Sequence, residues 1–135
     1  MNCALDTAKL YPSDGCFLFS LIELKMHKFI IAIINSKLLT YFYQLLSFEK
    51  GRVLAQVKPT ILSLLPLYNS LPNIYLETIT DLYDQYQVTQ NDETLNHIDI
   101  FTYKLYNLTY EEVLLVDPEF DNIMNQEEYD NYEVE

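Results

Sequence analysis

The sequence predicts an α+β, helix-dominated fold, with two or three short strands packed on one long amphipathic helix and C-terminal helices after them. Three observations lead there. Only 2 of the 135 residues are glycine, so tight hairpin turns are scarce and helix is favoured. Apolar residues recur at helical spacing through residues 28–47. A short apolar run at 15–24, "GCFLFSLIEL", follows the turn signal "YPSDG" and has the length and Phe and Ile content of a buried strand. Half the residues are hydrophobic, with 12 Tyr and 7 Phe, which marks a folded chain of one-domain size rather than a disordered one.

The strand at 15–24 leads into "IIAIINSKLLTYFY", 30–43. At 100° per residue Ile30, Ile31, Ile34, Leu38, Tyr41, Phe42 and Leu45 share one arc. Lys28, Asn35, Ser36, Lys37, Thr40, Gln44 and Ser47 lie largely opposite, which predicts one amphipathic helix over 28–47. A membrane span is disfavoured, because Lys37 at mid-depth would cost about 2.5–3.5 kcal/mol. Gly51 then permits a turn, Val53–Val57 form a short strand, and Pro59 can open a helix.

"LLPLYNSLP" is a connector, and beyond it Tyr75, Ile79, Leu82 and Tyr86 predict a helix that opens near Pro72. Residues 88–94 read as a polar loop. Leu95, Ile98, Phe101 and Leu105 form the stripe of the next helix, which Asn107 ends in a left-handed conformation. Thr109 and Glu112 form a capping box for its successor. The division expected is 1–70, 71–116, and an acidic, poorly ordered tail over 117–135.

Charge is unevenly placed. Residues 1–60 carry seven basic and four acidic groups, whereas residues 61–135 carry one basic group, Lys104, and sixteen acidic ones, within a net charge of −12. An anionic partner would have to meet the first half. Cys3 and Cys16 are too few for a disulfide framework and are expected as reduced thiols of a cytoplasmic protein. The start lacks the basic-then-apolar pattern of a signal peptide.

No catalytic constellation stands out. His27 and His97 fall in different elements with no ligand-spaced Cys or carboxylate. Neither a phosphate-cradling glycine loop nor a nucleophile motif is present. The expectation is a chain that is not an enzyme, with no cofactor and no metal. The plausible ligand contact is the basic turn: Lys50, Arg52 and Lys58 can each neutralise a phosphate, Arg52 can pair with guanine, and Gln56 with adenine. An ordinary solvated turn is the alternative.

The series of features resembles the distal part of the TaqI-like specificity domain, the C-terminal target recognition domain of adenine-specific DNA methyltransferases and fused restriction–modification enzymes. Ile34-Asn35-Ser36-Lys37-Leu38 matches that family's helix core, and Leu65-Pro66-Leu67 its connector. Ala4, Asp6 and Tyr11 resemble its lead-in, while Ile98-Asp99, Tyr103-Lys104-Leu105-Tyr106 and Leu108-Thr109-Tyr110-Glu111-Glu112 match its closing module in order. The methyltransferase core is absent, with no cofactor loop and no asparagine-proline-proline-aromatic motif.

The resemblance implies a non-catalytic DNA target-recognition fragment. Its partners would be double-stranded DNA and a separately encoded methyltransferase or restriction subunit, with no membrane. Lys50, Arg52, Gln56 and Lys58 would face DNA, with Asn35 and Lys37 supporting their loop and Asn35 bonding to loop backbone. A second function class is a small acidic protein-interaction or DNA-mimic protein acting on a restriction system.

Overall fold

Leu24, expected to end a strand, already belongs to a helix. The computed structural model describes residues 3–11, 16, 18–19, 24–47, 57–68 and 71–134, and among these there is no strand. The helices run α1 (Leu24–Asn35), α2 (Lys37–Ser47), α3 (Pro59–Leu62), α4 (Asn73–Thr89), α5 (Asp92–Leu105), α6 (Tyr110–Val116) and α7 (Gln126–Asp130), with a 3₁₀ turn at Phe120–Asn122 between the last two. The α+β expectation is therefore corrected to an all-helical architecture among the described residues. An apolar run reads equally as buried strand or buried helix. Here every residue from Phe29 to Ile34 is buried, the pattern of a helix covered all round. Its cover is α4 and α5, together with α2, rather than a sheet. Most of the two expected strands lies outside the described residues.

The single helix expected over 28–47 is also corrected. It breaks at Ser36 into α1 and α2, bent by 65°. Ser36 is buried, and its N–H and Oγ both donate to the carbonyl of Ile33, at 3.1 and 2.6 Å. Its Oγ also accepts from the N–H of Leu39 at 3.3 Å, so it acts as the N-cap of α2. No single described helix is long and apolar enough to cross a membrane.

Pro72 stands at the N-cap of α4, and Gln90 ends that helix in the left-handed region with φ 49°. The polar loop expected over 88–94 shrinks to Gln90 and Asn91. Asn91 accepts from the N–H of Thr94, and Asp92 and Glu93 occupy the first turn of α5, where carboxylates favour the helix dipole. Asn107 adopts φ 55°. The N–H groups of Asn107 and Leu108 donate to Lys104 and Tyr103, a Schellman ending of α5. The Thr109–Glu112 capping box opens α6 as expected. The proline connector is clipped to the end of α5 by two tyrosines, Tyr68 donating to the Leu105 carbonyl and Tyr106 to that of Pro66.

The tail is the third correction. Glu119 to Asp130 fold onto α6 instead of being disordered, because the acids there are interleaved with aromatics. Phe120 and Tyr129 are each about 1% exposed, and burying each such side chain contributes roughly 1.5–3 kcal/mol. Phe120 meets Tyr103 and Tyr129 edge-on at 5.6 and 5.7 Å, the favoured geometry of aromatic pairs. A second capping box, Asn125 with Glu128, opens α7. The molecule thus has an aliphatic core under α1, α4 and α5 and an aromatic one under α6 and α7, with Leu38 packed against both.

Candidate functional site

The elbow between α1 and α2 gathers the polar residues of the Asn-Ser-Lys core, each with a separate structural reason. Asn35 ends α1 and holds the N-terminal segment, its Oδ1 accepting from the N–H of Cys3 and its Nδ2 donating to the Cys3 carbonyl, both at 2.7 Å. Asp6 shapes that segment further on, its two oxygens accepting from the N–H groups of Ala8 and Leu10 at 2.9 Å.

Lys37 is the first residue of α2, and its N–H has no partner within the helix. Asp99, from the middle of α5, supplies one: its Oδ1 accepts that N–H at 2.8 Å. The Lys37 ammonium turns the other way and donates to Oδ2 of buried Asp117 at 2.7 Å, where α6 ends. Asp99 is only 7% exposed. Burial pushes its carboxyl up to about 6, despite the opposing pull of the Lys37 N–H and ammonium, and Asp117 adds to the rise. The Tyr103 hydroxyl is buried with no hydrogen-bond partner among the described residues. Burial, then the charges of Asp99 and Asp117, push it far upward.

Asn35, Lys37 and Asp99 border a cleft of about 860 Å³ between the N-terminal segment, the elbow, α4 and α5. Cys3, Ala4, Leu5 and Thr7 form one wall, and Asn35 to Lys37 close one end. Tyr83, Asp84, Tyr86 and Gln87 come from α4, and Asp92, Leu95, Asn96 and Asp99 from α5. Asp84 is paired with Lys28 at 2.5 Å. The Cys3 thiol, raised by burial, and Cys16 are both free. Among the described residues no group of three or more His, Cys, Asp or Glu side chains is placed to hold a metal ion.

Of the four residues expected to face DNA, Lys50, Arg52 and Gln56 lie outside the described residues. Lys58 is exposed at the N-cap of α3, and its N–H donates to the Tyr43 hydroxyl at 2.9 Å. Asn35 bonds to backbone, but to that of Cys3, and Lys37 reaches Asp117. Sequence reasoning read Asp99 only as part of the matched closing module and missed its role. The signal was a lone acid inside "HIDIFTY", where a charge flanked by core residues needs a partner. Its partner lies 62 positions away, beyond the reach of local pattern.

No family model matches this chain, and neither a curated protein nor a solved structure matches it. The resemblance to TaqI-like domains therefore rests on its motif series alone.

Proposed function

We propose that this chain is a non-catalytic acidic interaction module that docks a basic partner surface through the carboxylates of its C-terminal half. One observation carries this reading. The lysines nearest the acid-rich half are engaged within the fold: Lys28 with Asp84, Lys37 with Asp117, and Lys104 over the Tyr129 ring at 4.0 Å. Glu111, Glu112, Glu119, Asp121, Glu127, Glu128, Asp130 and Glu133 are all exposed on the aromatic-cored module. A fixed surface of one sign steers an oppositely charged partner and repels nucleic acid.

The test is a titration of the labelled chain with a lysine-rich peptide and with duplex DNA, at low and moderate salt. The expected result is salt-sensitive binding of the peptide and none of the duplex. The combined variant Glu119→Gln, Glu127→Gln, Glu133→Gln should weaken the peptide at least tenfold. A second reading, the DNA target-recognition segment of an adenine-specific methyltransferase, has exposed Lys58 in its favour. Duplex binding that is lost in Lys58→Ala would overturn the acidic-module reading and support this one.

A further inference from the structure

The cleft at the elbow is separate from the docking face, and its charge arrangement points to a small ligand. Asp99 is 7% exposed and forms part of its lining. One oxygen caps α2, while the other takes no hydrogen bond from any described residue. Asp92 lines the same cleft from the first turn of α5. Seven positions, about two turns, separate the two, so they share one stripe of the helix with their Cα atoms about 10 Å apart. Between them the stripe presents Leu95 and Asn96, an apolar and an amide side chain. Tyr83 and Tyr86 face this stripe from α4, and aromatic rings favour both methylene groups and cations.

The positive groups nearby are already matched, because the Lys37 ammonium is held by Asp117 and Lys28 by Asp84. A single metal ion bonds oxygen within about 2.6 Å and cannot bridge carboxylates on positions two turns apart. A linear molecule with a cation at each end can.

We propose that this cleft binds a linear aliphatic diamine, or the end of a polyamine, with one ammonium on Asp99, the methylene chain along Leu95 and the tyrosines, and the second ammonium at Asp92. A buried carboxylate whose charge is disfavoured gains when a cation arrives, so occupancy stabilises the ionised form of Asp99 and is lost when that group is protonated. The groups facing Asp99 are Lys37 from α2, Asp117 beyond α6 and Tyr103 on its own helix, with Cys3, Tyr83, Asp84 and Asp92 around the cleft. Burial moves Cys3, Tyr83 and Tyr103 upward, away from the range in which Asp99 titrates.

Calorimetric titration of the full chain with 1,5-diaminopentane, pentylamine and magnesium chloride at matched ionic strength tests this. The diamine should bind at one site, at least tenfold tighter than the monoamine, and magnesium should not displace it. Asp92→Asn should bring diamine affinity down to the monoamine level. Asp99→Asn, checked for folding by circular dichroism, should weaken both amines at least tenfold, and the diamine should be released as pH falls through about 6. Glu133→Gln, on the docking face, should change nothing. Where Asp99→Asn does not fold, exposed Asp92 still decides. Absence of binding, equal affinity for both amines, displacement by magnesium, or loss in Glu133→Gln equal to that in Asp92→Asn would each overturn the proposal. Failure here leaves peptide docking intact, and failure of docking leaves the diamine titration intact.

Discussion

The aliphatic and aromatic halves are held together by opposite strategies. In the aliphatic half, α1, α4 and α5 are three turns or longer, and the polar contacts that fix them are distant in sequence: Asn35 to Cys3, Lys37 to Asp99 and Lys37 to Asp117. In the aromatic half α6 and α7 have seven and five residues, too short to be stable alone. Their fixings span shorter stretches of chain, 14 and 21 positions for the two tyrosine tethers. Two capping boxes close three-residue gaps, Tyr110 donates to the Met124 carbonyl and Tyr129 to that of Leu108. An acid-rich segment can therefore order when aromatic side chains fill its core and tyrosine hydroxyls tie its backbone.

The largest test of that contrast is Tyr129→Ala, which removes a fully buried ring, its tether to Leu108 and the seat of Lys104. The expected loss is about 3–5 kcal/mol by urea denaturation. Hydrogen exchange should show protection lost over 110–134 while α1, α4 and α5 keep theirs. Simultaneous loss in both halves would break the distinction.

Next in size is the pH dependence set by Asp99. Its folded value, about 6, lies above the ordinary 3.8, so the folded chain holds this proton more tightly than the unfolded one. Its contribution to stability is full below about 3.8 and is lost as pH rises through about 6. At roughly 1.4 kcal/mol per pH unit, the loss is on the order of 2–3 kcal/mol. Asp99→Asn should flatten the change between those values, and an unaltered pH profile of urea stability would remove Asp99 from this role.

Ser36→Ala should cost about 1 kcal/mol, as the α2 cap is lost. Unchanged stability in Ser36→Ala would place the helix start elsewhere. Smallest is Lys104→Ala, where the cation over the Tyr129 ring is worth about 0.5–1 kcal/mol at a partly exposed site. Lys28→Ala, which breaks a pair half exposed on its Asp84 side, should cost no more.

How much of this was legible follows the same division. The α4 and α5 stripes, the left-handed Asn107 and the Thr109–Glu112 box could be read from sequence, since each is decided within a few residues. The α1–α2 break could not, because Ser36 and Asp99 complete it from positions far apart in the chain. Strand and helix were confused near Leu24 since both bury a continuous apolar run. The tail was misread because its charges were counted while Phe120, Tyr129 and the Asn125–Glu128 box were not weighed. At the candidate site Asn35 and Lys37 were conspicuous as polar residues in an apolar run, but their partners were set by tertiary packing.

One buried carboxylate from α5, that of Asp99, caps α2, steadies the elbow and lines the cleft. Carboxyl-carbon NMR titration of Asp99 measures it directly. The midpoint should lie near 6, with the Lys37 amide resonance shifting through the same transition. A midpoint near the ordinary 3.8, or a Lys37 amide indifferent to it, would contradict the capped elbow.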